Sequence, residues 1–355
     1  MSPAESIMDT ARRLRGELEA SEAVTVSIAL LGRTGAGKSS LVNRLMGKNL
    51  AKVGAAADTT TGAGAYEWNG VRLVDLPGFD TKRFPRESFW EDFRLDSFDL
   101  FLCVFSDKPG SAESDFFARL RQKGRTCLFV RNKEDQVCDT SGEKSREELF
   151  RDIASDLSRQ IGSAEPVYFT SCATGRGLAE LSQAVCAALP ETKRERWIEG
   201  AKAYTREFLA AKEALCKKKV RLFAGLSAAN AVNPLPGVDV AVDLSLLVSL
   251  MKTIRNAYGL SDQSILRAKE LGIPAVAQLA NNVIRYSTKE GAVFLLQRFM
   301  GSELTKEAAK YVPLVGQIVA AGAGFGITLK AGSAYLEDCH GIASEVLARQ
   351  MDFRP

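Results

Sequence analysis

One stretch limits the possible folds more than any other: VTVSIALLGRTGAGKSSLVNRLMG, residues 24–47. An apolar run enters a glycine-rich turn. The turn ends on Lys-Ser, and an amphipathic segment closed by Gly47 follows. The spacing G-x-x-x-x-G-K-S between a strand and a helix is that of a phosphate-binding loop in an α/β sheet. Gly32, Gly35 and Gly37 let the backbone turn its N–H groups toward an anion. Lys38 is placed to reach β- and γ-phosphates, Ser39 to ligate Mg²⁺, and the helix start adds its positive end. Gly32, Arg33, Thr34, Gly35, Ala36, Gly37, Lys38, Ser39 and Ser40 are therefore candidate phosphate-loop residues.

Further apolar runs at 71–78, 100–106, 126–133 and 166–171 are of strand length, and most precede a charged, helix-like stretch. Continuous apolar strands alternating with helices predict a mostly parallel sheet covered on both faces. Ligands of such sheets bind beyond the carboxyl ends of the strands. Residues 54–68, rich in Gly, Ala and Thr, read as a flexible loop.

The motifs at those strand ends identify the nucleotide. DLPG (75–78) gives Asp75 as a carboxylate holding Mg²⁺ through water and Gly78 as a γ-phosphate-sensing amide, the element of a switch. Thr59, Thr60 and Thr61 all suit a threonine closing over the metal, and spacing favours Thr60. RNKED (131–135) carries N-K-x-D. Asp135 accepts from N1–H and the 2-amino group of guanine, donors that adenine lacks in that place. Asn132 would brace the phosphate loop and the base, and the Lys133 stem would pack on the ring. TSCATGRG (170–177) supplies Ser171, Cys172 and Ala173 as a loop whose backbone meets guanine O6. Motifs in this order imply GTP/GDP with Mg²⁺.

From residue 191 alternating strands give way to helical stripes such as Leu244, Leu247, Val248 and Met251. The expected organisation is an N-terminal helix (1–22) packing with a C-terminal helical domain (191–355), around a nucleotide domain (23–190). Residues 222–238 and 311–329 carry no charge and each holds Pro-Leu-x-Gly, at 234–237 and 313–316. These predict helix-turn-helix breaks within buried bundle helices, with a bilayer-dipping hairpin as the alternative. Net charge is only +4, but residues 193–221 hold ten basic and four acidic residues. A basic helix there points either to a solvated face or to an anionic partner. Seven cysteines without a CxxC pair and a single His, His340, argue against a disulfide framework and His-based metal sites. The first twenty residues lack the apolar core of a secretory signal, and Ser2 excludes N-myristoylation.

The D-x-P-G switch motif resembles that of the translation-factor-related GTPases. NPLPGVDVAVDLSLLVSLMKTIRNAYGLSD (233–262) and YVPLVGQIVAAGAGFGITL (311–329) resemble the helical domain of the immunity-related GTPases. That resemblance spans nearly the whole chain. It implies an α/β P-loop GTPase domain followed by an all-α domain, slow hydrolysis, and GTP-dependent dimerisation or oligomerisation across the nucleotide face. It also implies recruitment from the cytoplasm to intracellular membranes and a role in cell-autonomous immunity. Two positions depart from the family pattern: Asn132, where Thr is frequent, and Arg33, where an acid is common.

Phe79 and Asp80 follow DLPG, and no Gln is there to orient water. Slow intrinsic turnover, raised by a partner, is expected. Arg33 is a candidate arginine finger, in cis or across a dimer, or else a solvent-exposed loop residue. With Lys38, Ser39, Thr60 and Gly78 it completes the expected catalytic set. Two other readings remain: an Era-like RNA-associated GTPase, for which no basic G-x-x-G module follows residue 190, and a GTP-regulated interaction protein with little turnover.

Overall fold

A computed structural model describes residues 3–51, 63–78, 88–139, 142–230, 244–270, 272–299 and 313–352. The elements are α1 (Pro3–Ala23), β1 (Val26–Leu31), α2 (Lys38–Met46), β2 (Gly64–Trp68), β3 (Val71–Asp75), α3 (Phe89–Asp92), β4 (Leu100–Phe105), α4 (Ser111–Gln122), β5 (Cys127–Arg131), α5 (Arg146–Ile161), β6 (Val167–Phe169), α6 (Leu178–Ala188) and α7 (Glu191–Gly200). The remaining helices are α8 (Arg206–Asn230), α9 (Leu244–Ala257), α10 (Asp262–Glu270), α11 (Pro274–Tyr286), α12 (Lys289–Phe299) and α13 (Pro313–Asp352). The chain divides into two compact units, 24–202 and 1–23 with 203–355.

In the first unit six strands lie in the order β2-β3-β1-β4-β5-β6. All neighbours are parallel except β2 and β3. Every residue of β4 and β5 is buried, which is why these strands read as unbroken apolar runs. Phe116 and Phe117 of α4, Leu157 of α5 and Phe89 of α3 cover one face together with Phe101 and Phe129. The register pairs Leu30 with Asp75 and Phe105 with Arg131. The chain exits after β1, β3 and β5 thus converge at the carboxyl end of the sheet, where the candidate site lies.

Part of the stretch expected to be loop, 54–68, is strand. Asn69 and Gly70 take φ +46° and +72°, the left-handed pair of a two-residue hairpin turn. Gly64–Trp68 pairs antiparallel with β3 at the sheet edge. Its alternating exposure comes from having one covered face. Residues 52–62 lie outside the described residues.

The border between units falls at 202/203, beyond the expected 190/191, because α7 packs on β1 and β3. Trp197 is fully buried and donates Nε1–H to Ser182 O at 3.0 Å. Arg196 donates Nε–H to Val24 O at 2.9 Å.

The second unit is helical among the described residues. Its core joins Val220 and Phe223 of α8 and Leu247, Leu250, Met251 and Ile254 of α9. Val276, Ala280 and Val283 of α11 and Tyr335, Cys339 and Ile342 of α13 complete it. Helix α1 lies on α8, with Leu14 against Gly225.

The predicted break at 313–316 does not occur: α13 begins at Pro313 and runs unbroken through Gly316 to Asp352. Proline at a helix start loses no internal hydrogen bond. Each interior glycine costs about 1 kcal/mol relative to alanine; at Gly332 and Gly341 neighbouring side chains pack into the space a Cβ would take. A Cβ on Gly332 would stand 2.8 Å from Leu250 and 3.0 Å from Val220. The other Pro-Leu-x-Gly, 234–237, lies outside the described residues. Among the described residues no helix is long and apolar enough to cross a membrane.

The expected basic helix also divides. Lys193 and Arg196 belong to α7 and pair with Asp99 and Glu199. On α8, Lys212 and Lys219 are buried, leaving Arg206, Lys217, Lys218 and Arg221 exposed.

Candidate guanine-nucleotide site

The loop after β1 has the backbone that its glycines predict. Gly32 takes φ +141°, and a Cβ there would stand 1.9 Å from Val104 O of β4. Gly37, at φ +90°, starts α2, and its Cβ would stand 2.2 Å from Asn132 Nδ2. Thr34 and Gly35 form the exposed tip, Ala36 is buried and Ser40 half-buried. Lys38 is folded back into the loop, donating to Gly32 O at 2.8 Å and Arg33 O at 3.2 Å. Burial holds its pKa below the ordinary lysine value, opposed by the nearby Asp75. Asp75 Oδ1 lies 3.7 Å from the ammonium.

Ser39 Oγ donates to Asp75 Oδ2 at 2.5 Å. Asp75 is 1% exposed. Burial raises its pKa, against the lowering effect of Lys38 and of the Ser39 hydrogen bond. Asp75 Oδ1 is buried with no hydrogen-bond partner. An orphaned carboxylate oxygen beside a serine hydroxyl is costly in a folded chain, and a hard cation in that corner would satisfy it. The pair fits Mg²⁺. Among the described residues no cluster of three or more His, Cys, Asp or Glu side chains forms a metal site. Gly78 follows half-buried, while Thr59, Thr60, Thr61, Phe79 and Asp80 lie outside the described residues.

On the guanine side, Asn132 is 1% exposed and donates Nδ2–H to Ala36 O at 2.9 Å, bracing the phosphate loop. Its Oδ1 accepts from Thr170 Oγ1 at 3.3 Å. Lys133 turns through φ +57°, and Asp135 stands exposed on the short helical turn Glu134–Gln136. Glu134 N–H binds Thr170 O at 3.0 Å, tying this turn to the next loop. There Ser171 is buried and its Oγ accepts from Thr174 N–H at 3.1 Å. Cys172 is half-buried and Ala173 exposed. Burial pushes the Cys172 thiol up to about 11, so it is no thiolate nucleophile at neutral pH. The structure therefore gathers the phosphate-loop, Asp75 and N-K-x-D residues at the carboxyl end of the sheet.

Arg33 is not an unattached loop cation. Its guanidinium is 63% exposed, yet Nε lies 2.8 Å from Glu113 Oε2, and its backbone N–H donates to Glu113 Oε1 at 2.9 Å. Glu113 also accepts from Gly110 N–H at 3.1 Å, which caps α4. Sequence reasoning missed Glu113. The only local signal was its place three residues after the helix cap, where a glutamate commonly reaches back. It also missed Arg44 of α2, which donates to the carbonyls of Cys172 and Ala173, and nothing local signals that bond.

Interferon-inducible GTPase 5 of Rattus norvegicus is 25% identical over 353 residues, covering 90% of this chain and 74% of its own. T-cell-specific guanine nucleotide triphosphate-binding protein 2 of Mus musculus is 27% identical over 262 residues, 69% of this chain and 63% of its own. Among solved structures, Era in complex with MgGDPNP and a 16S ribosomal RNA segment aligns with 56% of this chain and 68% of its own, at 17% identity and TM-score 0.38. That superposition is too loose to transfer any property. The family model for Interferon-inducible GTPase (IIGP) matches residues 4–305. With a P-loop, a Mg²⁺-compatible serine-aspartate pair and a guanine motif at the carboxyl end of the sheet, the chain is a GTPase and belongs to the interferon-inducible GTPase family.

Proposed function

We propose that the protein hydrolyses GTP slowly as a monomer and faster when a second copy closes over the nucleotide face. The GTP-bound assembly forms at anionic intracellular membranes and serves cell-autonomous immunity. One observation carries the first part: the switch motif lacks the water-orienting Gln of an efficient GTPase. Residues 75–80 offer no Gln, and Arg33 is held by Glu113. This supports a group from a second copy supplying water positioning or charge.

The roles then follow from position. Lys38 and the 32–40 backbone bind the β- and γ-phosphates. Ser39 and Asp75 hold Mg²⁺, joined by Thr60 in the closed switch, and the ion neutralises phosphate charge when bound. Gly78 reports the γ-phosphate. Asn132, Lys133 and Asp135, with Ser171, Cys172 and Ala173, select guanine. The exposed Arg206, Lys217, Lys218 and Arg221 of α8 support an anionic surface as partner, and membership of the interferon-inducible GTPase family supports the immune role.

Turnover per molecule, measured over a range of protein concentrations, tests the assembly. It should rise with concentration, and a flat profile refutes it. Arg33→Ala keeping the full rise would remove Arg33 as a finger. Flotation with anionic liposomes in GTP and in GDP tests the membrane. GTP-loaded protein that stays off liposomes but binds RNA would replace this reading with the RNA-associated one. Binding without turnover at any concentration would leave a GTP-regulated interaction protein.

A further inference from the structure

We propose that Arg44 is a specificity-positioning residue that aims the Ala173 amide at guanine O6. The inference rests on the guanine reading of Asn132–Asp135. Arg44 sits in the last turn of α2, the helix that begins at Lys38. Its fork reaches the other loop: Nε–H donates to Cys172 O at 2.6 Å and an Nη2–H to Ala173 O at 3.2 Å.

Peptide planarity converts these bonds into base recognition. In a trans peptide the carbonyl of one residue and the N–H of the next point in opposite directions. Drawing Cys172 O onto Arg44 therefore turns the Ala173 N–H away from α2. Drawing Ala173 O the same way turns the Thr174 N–H away too, and that amide meets Ser171 Oγ at 3.1 Å. From the same loop, Cys172 Sγ approaches Asn132 Oδ1 at 3.5 Å. The Cys172–Ala173 peptide is thus fixed from two sides, by Arg44 on its carbonyl and by Asn132 on its side chain. A planar fork can hold two successive carbonyls, which a lysine ammonium does with less definition. One helix thereby links the phosphate end of the nucleotide to the base end.

The test uses three diphosphates in equilibrium titrations with full-length protein. GDP and IDP both carry O6, whereas 2-aminopurine riboside diphosphate lacks it. Arg44→Ala should weaken GDP and IDP alike, by about tenfold, the range of one misplaced hydrogen bond. The 2-aminopurine nucleotide should be unaffected, and Arg44→Lys should recover part of the loss. An equal loss for all three ligands would make Arg44 merely structural and overturn the proposal, as would no loss for any. Arg44→Gln, which keeps a single forked donor, serves if the alanine variant does not fold. If wild-type protein bound GDP no better than the 2-aminopurine nucleotide, the guanine reading itself would fall. Retained GDP preference in wild type and Arg44→Ala alike would remove only the role given to Arg44.

Discussion

Removing Glu113 tests how the phosphate loop is anchored. The carboxylate is 7% exposed. It accepts from Arg33 N–H at 2.9 Å, Gly110 N–H at 3.1 Å and Arg33 Nε at 2.8 Å. The Arg33 guanidinium is 63% exposed, so water screens that ion pair to below about 1 kcal/mol. The two backbone donors are part-buried, and each bond to a charged acceptor is worth about 1.5 kcal/mol at the low end of its range. Glu113→Ala should therefore cost roughly 3 kcal/mol and Arg33→Ala less than about 1 kcal/mol. All three tryptophans, Trp68, Trp90 and Trp197, lie within the 24–202 unit, so their fluorescence during urea unfolding of nucleotide-free protein reports on that unit. Equal losses for the two variants would mean that the side-chain ion pair, not the backbone clamp, carries the energy. A loss below about 1 kcal/mol for Glu113→Ala would refute the anchoring argument outright.

Three further outcomes follow from the same geometry. Gly37→Ala drives a methyl to 2.2 Å from Asn132 Nδ2 at φ +90°; GDP affinity should fall roughly a hundredfold by titration, from backbone strain and a broken Asn132–Ala36 bond. Trp197→Ala empties a fully buried site and removes the bond from its Nε1–H to Ser182 O, which should cost about 3–5 kcal/mol in urea unfolding. Burial raises the Asp75 pKa, so between its ordinary and raised values the folded nucleotide-free protein binds more protons than the unfolded chain. Stability falls as pH rises through that window. Asp75→Asn should then stabilise the nucleotide-free protein at neutral pH, seen as a higher Tm. Mg²⁺ affinity of wild type should fall on acidification already above the usual aspartate range, and Asp75→Asn should lack that pH dependence.

What the sequence made legible is whatever a local backbone conformation dictates. Gly32, Gly37 and the strand-to-helix setting define the phosphate loop within a dozen residues. Asp75 and Asn132 follow because each closes an apolar strand. The β2 strand carried a local signal as well, Asn69-Gly70, but the glycine- and threonine-rich stretch before it masked a short edge strand. Helix α13 was illegible for a different reason: Pro313 reads as a break, yet it stands at the helix start, where it loses no internal hydrogen bond.

The same distance hid the environment of Arg33, since Glu113 lies eighty positions away. That partner gives the departure from the family pattern a physical meaning. An acid at position 33 would place a second carboxylate where Glu113 now meets a guanidinium at 2.8 Å, and like charges at that range repel. Arg33 and Glu113 are thus one unit. Arg33→Glu should destabilise the protein more than Arg33→Ala, and Glu113→Gln, which is neutral, should remove most of the difference. If the glutamate variant were as stable as the alanine variant with Glu113 in place, the two residues would be independent, and the arginine would have to be explained by what binds it from outside.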